Sequence, residues 1–309
     1  MSFNPGDNFY DHYDLICLEH SDFSAEGRDL GENYTFTLAS MSPCVKAGKL
    51  DCVFCHTSSG RYRFATENPN GACVKCHSER VKNIKAHSHH PTDGNTGKCI
   101  ICHMPMTSFA KMRRCDHSMR PPSPEASRLY GSKSACVICH KNKKEEWAAG
   151  FVNKWHPNST WRKRIVYQGT LIDAARKSDW KQLPEMLKFI QAPESDAIMI
   201  TSLIRLIQVD PNVASWAPAF RKMIEHQSPL VRGAAAALAL DMHAEESVQA
   251  LVKCLKDECR MVRVRAVVSL SRHPWSHFDA ATQELLEKGE KDIYSFRNDV
   301  RRDAFATKM

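Results

Sequence analysis

Cys52-Val-Phe-Cys55-His56, Cys73-Val-Lys-Cys76-His77, Cys99-Ile-Ile-Cys102-His103 and Cys136-Val-Ile-Cys139-His140 are four copies of one five-residue pattern. Two thiols three positions apart, with an imidazole next in the chain, match the attachment pattern of a c-type haem. The thiols add across the vinyl groups and become thioethers, and the histidine reaches the iron as proximal ligand. Paired Cys-x-x-Cys units also build Cys₄ zinc knuckles, but zinc does not require a histidine after every pair. The closely packed four-cysteine run of bacterial iron–sulfur proteins is absent. The pattern predicts four covalently attached c-haems. Cys52, Cys55, Cys73, Cys76, Cys99, Cys102, Cys136 and Cys139 hold them, and His56, His77, His103 and His140 ligate the iron.

Composition sets the frame around these sites. A chain of 309 residues is long enough for two domains. Its 42% hydrophobic and 25% charged residues are ordinary for a globular protein. No stretch approaches the ~20 apolar residues of a membrane-spanning helix, so no direct membrane span is expected. The formal charge of +8 is no nucleic-acid signal, because the basic residues are scattered and haem propionates would offset them. Cys17, Cys44, Cys115, Cys254 and Cys259 lie outside the motifs; their odd number and irregular spacing argue against a disulfide framework. Cys254 and Cys259 sit in an apolar helical pattern and read as core thiols.

The character of the chain changes along its length. Residues 1–50 carry few periodic apolar positions and read as an irregular arm wrapping the first haem. Residues 51–160 hold all four motifs among turn residues such as Asn68-Pro69-Asn70-Gly71 and Pro121-Pro122-Ser123-Pro124. That density leaves room for little beyond short helices, and porphyrins would supply the buried apolar surface. Residues 161–309 show helix after helix at period 3.6, as in Ile200, Leu203, Leu206 and Ile207. Inside this half Val231-Arg232 with Ala235 and Ala239 is followed by Val262-Arg263 with Ala266 and Leu270, then by Val300-Arg301 with Ala304. The Val-Arg mark followed by small residues resembles the first helix of a HEAT repeat, with the arginine capping a neighbouring turn or pairing with an acid of the next repeat. The repeat is shorter than the roughly 40–47 residues of standard HEAT units, and a generic alanine-rich bundle is the alternative. The expected fold is mainly α: a haem-organised N-terminal domain with little regular structure and a C-terminal HEAT-like α-solenoid.

An iron with one histidine needs a sixth ligand or stays open for chemistry. The N-terminal half supplies His12, His20, His87, His89, His90, His117 and His156 outside the motifs. The run Ala86-His87-Ser88-His89-His90-Pro91 and the pair Asp116-His117 are the most specific signals. Asp116 is a candidate to orient a neighbouring group. Methionine is the competing ligand, with Met41, Met106, Met112 and Met119 conceivable. A histidine cluster can also be a solvated surface patch.

From His87 through Cys99–His103, Asp116-His117 and Cys136–His140 to Trp147-Ala148, the chain resembles bacterial multihaem c-type cytochromes of the doubled-CXXCH class, related to tetrahaem electron carriers of nitrogen metabolism. The resemblance covers roughly residues 40–160. It implies distal ligation by His87, His90 and His117, and fusion to helical repeats in several members. It also implies a signal peptide, which Met1 to Leu15 does not contain, so a chain lacking its natural N-terminus is expected, with a periplasmic or extracytoplasmic location.

Two functions follow from the sequence. The first is electron transfer between redox protein partners or within a membrane-associated complex, with the repeat half as docking surface. The second is reduction of a small nitrogen or oxyanion substrate at one open haem. All four motifs have the same form, so nothing in the sequence marks one haem as different.

Overall fold

A computed structural model describes every residue except 1, 2, 5, 32, 33, 49, 65–67, 110, 238–243 and 307–309, and leaves the side chains of 109 and 295–306 undescribed. The chain is mainly α, with 17 α-helices and one two-stranded hairpin among the described residues. No helix among them is long and apolar enough to cross a membrane. Two compact units form: residues 20–173, and residues 1–19 together with 174–309. This division differs from the one read in the sequence at both ends.

In the first unit, each motif folds as a short helical turn: Cys52–Cys55, the start of Gly71–Lys82, Cys99–His103 and Ala135–Cys139. A turn places residues three apart on one face, so the two cysteines of each motif project together. Local capping starts these turns. Asp51 accepts from the Phe54 amide at 2.8 Å and the Ser134 hydroxyl accepts from the Cys136 amide at 3.2 Å, satisfying donors a helix start leaves open. Asn70 ties two motifs together: its Oδ1 accepts from the Cys99 amide at 2.9 Å and its Nδ2 donates to Gly97 O at 2.7 Å. The helical path breaks at two of the histidines. His56 is extended at φ −114°, ψ 152°, and His77 sits at φ −122°, ψ 37° inside Gly71–Lys82.

The core of this unit is uneven. Phe23, Leu38, Met41, Ala126, Ala148, Leu171 and Ile172 are buried. Between residues 42 and 125, however, Pro105 and Pro124 are the only apolar side chains buried among the described residues. Three of the four motifs lie in that interval. Burial there falls instead on a set of charges. Arg28 pairs with Asp116 and lies 3.8 Å from Glu26, while Arg120 donates to Glu26 O at 2.7 Å and Gly27 O at 2.9 Å. Ser132 donates to Glu26 Oε1 at 2.6 Å. Buried charges persist only when paired and hydrogen-bonded, and these are.

The second unit is a run of packed helices: Leu183–Gln191, Ala197–Ile207, Val213–Met223, Pro229–Ala236, Glu245–Cys254, Arg260–Leu270 and Ala280–Ala306. Pro229–Ala236 packs on both Ala197–Ile207 and Arg260–Leu270, and the latter packs on Ala280–Ala306. Gly289 makes this last approach close, since a Cβ there would meet Val267 Cγ2 at 2.3 Å. Ile200, Leu203, Phe220, Trp216, Leu251, Cys254, Cys259 and Leu270 are buried. Leu203→Ala is expected to destabilise this unit by about 2–5 kcal/mol through lost apolar burial and the cavity it leaves, measured by denaturant unfolding.

The two described copies of the Val-Arg repeat make the same bonds. Arg232 donates to the carbonyls of His226 and Gln227 at 3.0 and 3.1 Å. Arg263 donates to those of Asp257 and Glu258, each at 2.9 Å. Both arginines therefore cap the turn five and six residues back. Each also reaches an acid further on: Arg232 holds Asp257 through two bonds of 2.6 and 2.9 Å, and Arg263 reaches Asp292 at 3.3 Å. Ala239 and His243 lie outside the described residues, and for Val300, Arg301 and Ala304 only the helical backbone is described.

Residues 9–19 belong to this helical unit. Arg205 donates to Leu15 O at 2.7 Å, Glu19 Oε1 at 2.6 Å and Asp14 Oδ1 at 2.8 Å. Arg176 reaches Leu18 O, and the Leu18 amide donates to Ser202 Oγ at 2.9 Å. The Arg260 amide donates to Asp11 Oδ1 at 2.6 Å. At the other boundary, a helix break falls at residues 156–159, between Glu145–Trp155 and Thr160–Arg176, while the units divide inside the latter helix.

Candidate functional site

Six of the ten histidines of residues 20–173 form three pairs. His56 faces His117 with ring centres 6.3 Å apart, His103 faces His87 at 6.2 Å, and His140 faces His90 at 6.1 Å. Each pair joins a motif histidine to one from outside the motifs. Two imidazoles sharing one metal at about 2.0–2.1 Å, with each ring centre about 1.1 Å behind its nitrogen, would have centres roughly 6.3 Å apart. The spacing of all three pairs matches that requirement.

The ring orientations suit ligation as well. Nδ1 of His56 bonds Gly60 O at 3.0 Å, Nδ1 of His117 bonds Cys115 O at 2.8 Å, and Nδ1 of His90 bonds Ser88 O at 2.6 Å. A carbonyl only accepts, so each of these rings carries its proton on Nδ1 and leaves the Nε2 lone pair free. This is how metal-ligating histidines are usually held. His103 hydrogen-bonds the Arg120 main chain, and burial, followed by the charges of His87, Arg28 and His77, pushes it down to about 4. Burial first also lowers His117 and His87. These rings are therefore neutral at neutral pH, the form that binds metal. His87 differs in one respect: its Nδ1 accepts from Arg80 Nη1 at 3.0 Å, so in that arrangement its proton sits on Nε2 and ligation requires the proton to leave or the ring to turn over.

His117 owes its position to the buried charges. The Asp116 amide donates to Pro105 O at 3.0 Å, and Asp116 Oδ1 accepts from the Ser118 amide at 2.7 Å. Its other oxygen takes Arg28. The turn carrying His117 is thus fastened on both sides. Burial works against ionised Asp116, but Arg28 and then Arg120 hold its carboxyl below the usual range. A carboxyl lowered by folding contributes stability above its unfolded pKa and loses it as pH falls through the folded value. Acid should therefore loosen this turn. Arg28→Gln leaves the Asp116 charge buried without its closest partner, and is expected to destabilise residues 20–173 by about 3–5 kcal/mol. Hydrogen exchange at Cys115–Ser118 checks this.

A row of aromatics borders the His90–His140 pair. Trp147 lies 4.8 Å from His140, and Trp147, Phe151 and Trp155 follow one another at 5.0 and 5.5 Å. They recur every four residues along Glu145–Trp155, one face of a helix. His89, in the left-handed conformation at φ 57°, stacks on Trp155 at 4.5 Å. His156 lies 6.2 Å from both His87 and His89. His77 joins none of the ring pairs among the described residues.

Other residues singled out in the sequence fall elsewhere. His12 belongs to the helical unit and contacts Asp7 at 3.3 Å, and His20 bonds the Asp22 amide at 3.3 Å. Met106 Sδ meets Cys115 Sγ at 3.2 Å across the hairpin. No three or more His, Cys, Asp or Glu side chains converge on one point among the described residues. The geometry fits haem through imidazole pairs, through thiols presented on one face of each turn, and through an interval without a core of its own. No family model matches the chain, and no curated protein or solved structure does either.

Proposed function

We propose that the chain is a tetrahaem c-type cytochrome that passes electrons between redox partners. The observation that carries this is the set of three motif histidines, each opposed by a second imidazole at metal-sharing distance. In this reading Cys52 and Cys55, Cys73 and Cys76, Cys99 and Cys102, and Cys136 and Cys139 form the thioethers. His56, His77, His103 and His140 are proximal ligands, and His117, His87 and His90 are distal ligands to the first, third and fourth haems. Bound haem supplies a one-electron iron couple, and two imidazoles favour transfer over substrate chemistry.

The chain's own residues set the terms. Carbonyls at Gly60, Cys115 and Ser88 fix the tautomers of His56, His117 and His90. The Asp116–Arg28 pair holds the His117 turn in place. Half-buried apolar side chains such as Ile100, Ile101 and Phe54 are available to cover macrocycles and exclude water. Covalent haem attachment normally takes place outside the cytoplasmic membrane, which supports a periplasmic or extracytoplasmic setting.

The helical unit is proposed as a HEAT-like docking surface for a redox protein or a neighbouring subunit. Its support is the recurrence of the same arginine bonds in two successive copies, since repeats of this kind stack into extended binding faces. Charge reversal at exposed positions there should weaken partner binding and leave the haem spectrum unchanged. A spectrum that shifts with those changes would contradict this division of labour.

A further inference from the structure

We infer that the haem carried by Cys73, Cys76 and His77 has an exchangeable sixth position that takes a small anion, whereas the other three are closed by histidine. The inference rests on the haem reading above and deepens its rival, reductase form. Three of the four proximal imidazoles face a second imidazole at 6.1–6.3 Å, and His77 faces none among the described residues. All ten histidines of residues 20–173 are described, so no undescribed imidazole of this unit is left to fill the place. Cys76 and His77 are exposed, as are the neighbouring Ser78, Glu79 and Arg80, which leaves a route for a ligand from solvent.

The surroundings of His77 also differ from those of the other three. Arg80 follows His77 by three residues in Gly71–Lys82, and its Nη1 lies 3.0 Å from His87 Nδ1. His156 is 6.2 Å from both His87 and His89. Arg80, His89 and His156 therefore gather on the side of the molecule that carries His77, and none of the three opposes a motif histidine at ring-pair distance. A guanidinium and two imidazoles that can donate hydrogen bonds favour a negatively charged ligand with acceptor atoms, such as a small oxyanion or azide. At His56 the nearby guanidinium is spent on the main chain instead: Arg63 donates to the His56 carbonyl at 2.9 Å, and the His56 ring bonds Gly60 O.

The test uses the full chain matured with four haems. Low-temperature EPR of the ferric protein should show one high-spin and three low-spin haems. Azide should convert the high-spin signal to low spin and saturate at one equivalent per chain. Arg80→Ala should weaken azide binding about tenfold and leave the low-spin signals of the His56–His117 and His140–His90 haems as they were. Four low-spin haems with no azide response would overturn the inference. His156→Ala or His89→Ala variants would then create a high-spin signal if either ring is the missing ligand. Failure of the haem reading looks different, because intact mass would show fewer than four covalent haems before any spin state is recorded.

Discussion

His117→Ala is expected to turn one haem from low spin to high spin while four haems stay covalently bound. His117 is the ring opposed to His56 at 6.3 Å, and its Nδ1 is committed to Cys115 O. Alanine removes the sixth ligand and touches neither Cys52, Cys55 nor His56. The remaining pairs, His103 with His87 and His140 with His90, use other side chains, so their signals should persist. The potential of the altered haem should shift and its iron should newly bind azide. Arg28→Gln should produce a weaker form of the same change, because Arg28 holds Asp116 and Asp116 holds the turn. Arg28→Lys, which keeps the charge, should restore part of the low-spin signal. A purely structural role for Arg28 would lower stability without moving spin state or potential.

Production of the chain without covalent haem attachment is expected to leave residues 20–173 unfolded and the helical unit folded. The reason lies in where apolar burial occurs. The helical unit buries Ile200, Leu203, Trp216, Phe220, Leu251 and Leu270, each contributing about 1.5–3 kcal/mol of transfer free energy. Between residues 42 and 125 only Pro105 and Pro124 are buried apolar side chains among those described. A segment that cannot bury enough apolar surface does not offset its chain entropy, and ligand binding then becomes folding free energy. Limited proteolysis of haem-free protein should cut throughout residues 42–125 and spare a fragment starting near Ala174. A protease-resistant haem-free N-terminal unit would contradict this.

Sequence and structure agree most where the signal is local. The four motifs were legible because a helical turn needs only residues three apart, and the mainly α class was legible from period-3.6 runs such as Ile200–Ile207. The Val231-Arg232 and Val262-Arg263 marks were legible too, and the equivalent bonds of Arg232 and Arg263 give them a physical meaning. What was not legible depends on long-range contact. Nothing near Arg28 announces that it meets Asp116, 88 residues away. Residues 1–50 read as one arm because they lack periodicity, yet Asp11, Asp14, Leu15 and Leu18 bond Arg260, Arg205, Arg176 and Ser202 of the helical unit. The boundary read at residue 160 falls where Thr160–Arg176 starts, but the units divide inside that helix, which carries no proline or glycine pair to show it. His87, His90 and His117 stood out in sequence as an His-rich run and an Asp-His pair. Which motif histidine each one faces, and that His77 is left without one, required coordinates.

The central claim is that four thiol pairs carry haem, and the mass of the intact protein tests it most directly. Full-length chain made with the c-haem attachment machinery should weigh four haems more than its sequence, and the excess should survive acid denaturation because thioether bonds hold it. Replacing Cys73 and Cys76 together by alanine should remove one haem and leave three. A mass equal to the bare chain, or to the chain with a metal ion that acid releases, would contradict the account.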